Sequence, residues 1–152
     1  MVKGEGGEAS ASATVTVRTP PPPPPPPPTP PTFIDRITES VKDAYFDYDS
    51  SDIRADAAST LRSNSNALKG VFSDFPNGKV LVEGHCDERG TNEYNLALGD
   101  RRAAAAKDYL VNLGVASSKM STVSYGEERP QCSSADESCY QRNRRAHFTP
   151  VQ

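Results

Sequence analysis

The sequence predicts an α/β protein, a small mixed sheet with helices packed on one of its faces. Two long segments with helical apolar spacing, several short alternating runs, and turn punctuation between them carry this expectation. At 152 residues, with a nine-proline run near its start, the chain has room for one domain of about 120 residues.

Residues 1–19 are rich in Gly, Ala, Ser, Thr and Glu, a mixture that buries little, and they read as a disordered tail or the remnant of an upstream domain. Within them residues 13–17 alternate as a last strand would. Residues 20–32 form a proline-rich linker. Its twelve-residue tract Pro20 to Pro31 reads as polyproline II, about 37 Å long at ~3.1 Å per residue, and hence as a stiff spacer. A proline ligand for an aromatic groove is the rival reading, and only Arg18 flanks the tract as such ligands require.

The domain is expected over residues 33–152. Thr32 suits a helix cap, with Phe33, Ile37 and Val41 on one face, and residues 45–47 read as a short strand. A helix follows over residues 53–75, with Ile53, Ala57, Leu61, Leu68, Phe72 and Phe75 in period and a polar gap at Asn64 and Ser65. Pro76-Asn77-Gly78 ends it. Residues 79–83 alternate as a half-buried strand, and Gly84 is expected to turn the chain out of the sheet. A second helix spans residues 93–113, burying Leu98, Ala105, Tyr109, Leu113 or their neighbours, and stops at Gly114. Alternating runs at residues 121–125 and 145–148 complete a βαβαββ order.

A net charge of −3 without a basic block argues against a nucleic-acid partner. Arg144 and Arg145 read as a solvated strand start, and Glu127, Glu128 and Arg129 as a solvated loop. No apolar run approaches the length that spans a bilayer.

The stretch GHCDERGTNEYNLALGDRR, residues 84–102, holds the chemistry. Asp87 falls in a turn, while Asn95, Leu98 and Arg102 share a helical face, so a carboxylate and a guanidinium can converge on one pocket. Such a pair is complementary to a zwitterionic amino acid: the Arg fork takes the carboxylate and the Asp accepts from the ammonium. On the residues alone, an intramolecular Asp87–Arg102 salt bridge is the preferred reading. His85, Cys86, Asp87 and Glu88 are consecutive and do not converge as metal ligands do, so no metal or other cofactor is expected. His85 reads as a strand-end histidine bonded to backbone or to a pocket carboxylate. Glu88 and Arg89 are given rim roles only.

The segments YFDYDSSDIR (residues 45–54), VEGHCDERGTNEYNLALGDRRA (82–103), VSYGEERP (123–130) and NRRAHF (143–148) together resemble the OmpA-like peptidoglycan-binding domain family, and within it the peptidoglycan-associated lipoproteins most closely. The resemblance implies a sheet with the family's strand order. It also implies that Asp87 and Arg102 hold the free end of the meso-diaminopimelate side chain of a peptidoglycan stem peptide, with Asn95, Leu98, Phe46 and Asp47 lining the pocket. The expected role is a non-catalytic tether in the periplasm, joining an outer membrane protein or complex to the cell wall, with export signal or anchor outside this chain. A TolB-like periplasmic propeller protein is a further expected partner, and an interaction module of that kind is the alternative function. A cell-wall hydrolase is the third reading, which lacks a nucleophile with a paired base. In an oxidising compartment Cys132 and Cys139, flanking the six residues of the polar loop SSADES, are expected to form a disulfide, leaving Cys86 as a free, weakly reactive thiol.

Overall fold

The computed structural model describes residues 20–151. The expected tail and the alternating piece at residues 13–17 lie outside the described residues. Residues 20–32 are exposed and carry neither helix nor strand.

The folded unit contains α1 (Phe33–Ser40), β1 (Ala44–Tyr45), α2 (Ala55–Asp74), β2 (Lys79–His85), α3 (Asn92–Asn112), β3 (Met120–Gly126), α4 (Glu137–Asn143) and β4 (Arg145–Val151). The sheet order is β1-β4-β2-β3. β4 runs antiparallel to both β1 and β2, whereas β3 runs parallel to β2, with α3 as the crossover. This is the predicted α/β class with a mixed sheet. The short helix α4, absent from the expected order, stands between the last two strands.

Local chemistry sets the ends of the elements. Thr32 caps α1 in a reciprocal box with Asp35, and Thr91 caps α3 by accepting from Tyr94 N. Gly114, at φ 102°, takes the left-handed position after α3. The polar gap in α2 is a buried bridge. The Asn64 amide accepts from Lys42 N at 2.9 Å and donates to Lys42 O at 2.7 Å, tying α2 to the segment entering β1.

The core lies between the helices and one sheet face. Val80, Val82, Ala146, Phe148 and Ala44 meet Ile37 of α1, Leu61, Leu68 and Val71 of α2, and Ala103, Ala106 and Leu110 of α3. Glu83, His85, Arg145, His147 and Thr149 alternate onto the opposite face, as the twofold period of strands requires. The buried face of α3 is rotated from the expected one, with Ala103, Ala106 and Leu110 inside and Ala105, Tyr109 and Leu113 half-buried.

Gly84 explains the rotation. β2 continues through it to His85, and a Cβ on Gly84 would lie 1.7 Å from the Gly99 carbonyl oxygen. The glycine is therefore needed for backbone contact between strand and helix, not for an exit from the sheet. That contact brings the α3 face bearing Asn95, Gly99, Arg102 and Ala103 against β2.

Candidate ligand-binding site

Beyond the end of β2, a small cavity of about 120 Å³ is lined by Tyr48, Asp49, Cys86, Asp87, Arg89, Gly90, Tyr94, Asn95, Leu98 and Arg102. Four of the six sequence-predicted ligand residues, Asp87, Asn95, Leu98 and Arg102, stand together on it. Phe46 and Asp47 are not among its lining. Phe46 is fully buried beneath the site, its ring centroid 5.4 Å from the Arg102 guanidinium. Asp47 turns its carboxylate to Arg54 at 3.0 Å and offers its carbonyl to Arg102 instead.

Arg102 is inaccessible to solvent. Its Nε donates to Ser50 O at 2.8 Å, Nη1 to His85 O at 3.0 Å and Nη2 to Asp47 O at 2.9 Å. One side chain thus joins the loop after β1 to the end of β2. Among the described residues it has no carboxylate partner. Burial lowers its pKa, and Arg144 adds to this, while Cys86 and Asp87 act in the opposite direction. Three of the five guanidinium N–H donors are used, which leaves one on Nη1 and one on Nη2.

Asp87 does not pair with Arg102. Its Oδ1 accepts from Arg89 N at 3.0 Å and Arg89 Nε at 3.3 Å, and its Oδ2 accepts from Arg89 Nη2 at 2.8 Å and Arg144 Nη1 at 3.2 Å. Burial acts to raise its pKa, but the bonds from Arg89 and Arg144 outweigh it and hold the carboxyl below its usual value. Arg144 is therefore no solvated strand residue. It is buried, bonded to Asp87, to Glu137 at 2.8 Å and to Phe46 O at 3.0 Å. Arg145 is buried as well, 3.4 Å from Asp43.

Asn95 spends its amide on the loop after β2. It donates to Arg89 O at 3.0 Å and, just past β3, to Glu127 Oε1 at 2.9 Å, so Glu127 is tied to α3, while Glu128 and Arg129 are exposed as expected. Cys86 is a buried free thiol bonded to Asn95 O at 3.2 Å, and its pKa is pushed up to about 11, chiefly by burial. His85 meets Glu83 at 2.9 Å rather than a carboxylate of the cavity.

Sequence reasoning passed over four participants, Asp49, Tyr48, Glu137 and Tyr140. Asp49, at φ 53°, is the only non-glycine with positive φ among the described residues, and its carboxylate accepts from the Tyr94 hydroxyl across the cavity. Tyr48 lies beside Asp49 with its ring 4.1 Å from the Arg89 guanidinium. α4 contributes Glu137 and Tyr140, the latter with its ring centroid 4.4 Å from the same guanidinium. The run Asp47-Tyr48-Asp49-Ser50 was a visible turn signal. It did not show which of its two carboxylates faces the cavity.

Cys132 and Cys139 are disulfide-bonded, closing the loop onto the first turn of α4. Asn143, at the far end of α4, accepts from Gln131 N at 2.7 Å and Cys132 N at 3.0 Å, so the loop is fixed at both ends. No helix among the described residues is long and apolar enough to cross a membrane.

A mixed sheet flanked by helices thus carries, beyond the end of β2, a cavity lined by two aspartates and two arginines. The chain belongs to the OmpA family, whose sequence profile matches residues 45–144. Among characterised proteins it is similar to the peptidoglycan-associated lipoprotein of Mesorhizobium japonicum, 56% identical over 105 residues that cover 69% of this chain and 60% of that protein. It is also similar to the peptidoglycan-associated lipoprotein of Agrobacterium fabrum, 54% identical over 102 residues, 67% of this chain and 55% of the relative. The chain thus spans between 55% and 60% of the length of these two relatives. The crystal structure of the peptidoglycan-associated lipoprotein from Burkholderia pseudomallei superimposes with a TM-score of 0.67 at 35% identity, covering 77% of this chain and all of that one. The C-terminal domain of Helicobacter pylori MotB shares the fold at a TM-score of 0.67 and 18% identity, over 74% of this chain and 85% of that one.

Proposed function

We propose that this chain is a non-catalytic module that binds peptidoglycan through the zwitterionic end of the diaminopimelate side chain, tethering an outer membrane protein or complex to the cell wall from the periplasm. The observation that carries the reading is Arg102, a fully buried guanidinium with no carboxylate partner among the described residues, facing a small cavity that also holds Asp49 and Asp87. A buried charge is normally paired. An anionic group supplied by a ligand meets that requirement here. Its ammonium, on the same carbon, then falls among the carboxylates.

Arg102 takes the ligand carboxylate through its two unused N–H groups, and Asp49 and Asp87 receive the ammonium. Asn95 acts by pinning the Asp87–Arg89 loop, and Phe46 and Asp47 act from behind, through packing and through a carbonyl, rather than by touching the ligand. A non-catalytic role agrees with Cys86, the nucleophile type nearest the cavity. Its thiol is held protonated at neutral pH and bonded to a carbonyl rather than to a base. The similarity to peptidoglycan-associated lipoproteins supports the same reading.

The test is co-sedimentation with purified cell-wall sacculi, with free meso-diaminopimelate as competitor and mass spectrometry of the supernatant. Sedimentation abolished by the competitor, with no fragments released, is the expected result. Release of fragments, or sedimentation indifferent to diaminopimelate, overturns the reading.

A further inference from the structure

Asp87 is the residue on which the ammonium is expected to dock, yet its carboxylate has no vacancy. It accepts four N–H groups, namely Arg89 N, Nε and Nη2 and Arg144 Nη1, and two carboxylate oxygens offer about four acceptor sites. A ligand ammonium therefore gains Asp87 by displacing a donor. The two arginines differ in how easily they yield. Arg144 is 4% exposed and bonded on three sides, to Asp87, Glu137 and Phe46 O. Arg89 is 34% exposed at its side chain and lines the cavity itself.

Arg89 also has somewhere to go. Its guanidinium lies 4.1 Å from the centroid of Tyr48 and 4.4 Å from that of Tyr140, and its Nη2 is 3.6 Å from Glu137 Oε1. A small movement beside the two rings would carry its charge from Asp87 toward Glu137.

We propose that Arg89 is a built-in surrogate for the ligand's ammonium: it neutralises Asp87 in the empty site, and on binding it yields Asp87 to the ligand and passes to Glu137 of α4. The inference rests on the reading of the site given above and adds a specificity-determining residue to it. The empty site never holds an unpaired buried carboxylate. A ligand with a carboxylate but no ammonium leaves Arg89 in place, whereas a diaminopimelate end exchanges with it. Discrimination then comes from competition as well as from attraction.

The test is calorimetric titration of the chain and of Arg89→Met, which keeps an apolar stem between the tyrosines, with two stem tripeptides. One ends in meso-diaminopimelate, and the other in an analogue that keeps the terminal carboxylate but lacks the ammonium. Because the displaced pair is partly exposed and modest in strength, Arg89→Met is expected to bind the diaminopimelate peptide about two- to fivefold more tightly. Its affinity for the analogue is expected to be unchanged. Glu137→Gln, which keeps a hydrogen-bond acceptor for Arg144 but removes the receiving charge, is expected to weaken the diaminopimelate peptide about twofold or more. Thermal unfolding of both variants shows whether the fold persists.

If Arg89→Met binds the diaminopimelate peptide equally or more weakly, or if both peptides shift together, the exchange is overturned while the reading of the site stands. If the unaltered chain binds neither peptide, both fall.

Discussion

Asp87 and Arg102 face one cavity without forming an ion pair with each other. Arg102 is bonded to the carbonyls of Ser50, His85 and Asp47, and Asp87 is bonded to Arg89 and Arg144. The salt bridge favoured by the residues alone is thus replaced by two separate networks, and a gap is kept between opposite charges. On the proposed reading, a zwitterionic ligand end bridges that gap.

Arg102 joins three backbone carbonyls, and on the proposed reading it also meets the ligand. Arg102→Lys keeps a charge but has no planar fork to reach three carbonyls. Each buried acceptor left without a donor costs about 1 to 3 kcal/mol. Chemical denaturation is expected to show the variant destabilised by about 2 kcal/mol or more, with the ligand affinity lost alongside. Unchanged stability would mean that the three carbonyl bonds contribute little.

The Gly84–Gly99 contact is expected to tolerate no side chain. A Cβ on Gly84 would overlap the Gly99 carbonyl oxygen, which is backbone and cannot yield. Gly84→Ala should therefore cost at least about 3 kcal/mol in a urea titration. Gly70 in α2 is the contrast, since a Cβ there meets nothing within 4 Å. Gly70→Ala should stabilise by about 0.5 to 1 kcal/mol through helix propensity.

Two histidines on the sheet face away from the helices titrate in opposite senses. The bond to Asp43 raises the pKa of His147, with burial opposing, Glu83 assisting and Arg145 opposing. Its contribution to stability is therefore fully present below about pH 6.5 and is lost as pH rises through the folded value. Burial lowers the pKa of His85 against the pull of Glu83, with Arg145 and His147 adding to the lowering. Its contribution is present above about pH 6.5 and is lost as pH falls. His147→Gln should accordingly destabilise more at about pH 5.5 than at about pH 8.5, and His85→Gln should make the chain less sensitive to acid. Parallel pH profiles for the wild type and either variant would contradict this assignment.

Reduction of the Cys132–Cys139 disulfide should loosen α4. For a loop with a sequence separation of 7, the chain-entropy treatment gives a loss of about 2 to 3 kcal/mol. Thermal unfolding with and without a phosphine reductant measures it. Cys86, with its thiol pushed up to about 11 and buried, should resist iodoacetamide at about pH 8 in the folded chain and react once the chain is unfolded. Labelling of the native chain at the unfolded rate would contradict its placement.

What the sequence made legible follows from the range of the interactions involved. The capped start at Thr32, the stop at Pro76-Asn77-Gly78 and the long periods of α2 and α3 are local, and each matches an element of the structure. α4 has seven residues, too few for a periodic signal, and it lies within the polar stretch around the disulfide. Arg144 looked solvated because its partner Asp87 lies 57 positions away. Gly84 looked like a turn because its reason, the backbone of Gly99, belongs to another element. The spacing of Asn95, Leu98 and Arg102 along one helix face predicted that they share a wall. It could not predict that Asp49, held in a left-handed conformation, completes the opposite one.

A carboxylate and an ammonium on one carbon are proposed to bridge Arg102 and the two aspartates, and ligand chemistry tests this without altering the protein. Calorimetric titration would compare a stem tripeptide ending in meso-diaminopimelate with the same peptide ending in lysine, which lacks the carboxylate. Saturable binding of the first is expected, with a loss of about a hundredfold or more for the second, since a buried charge stripped of its partner costs about 3 to 5 kcal/mol. Equal affinity for the two peptides would contradict it.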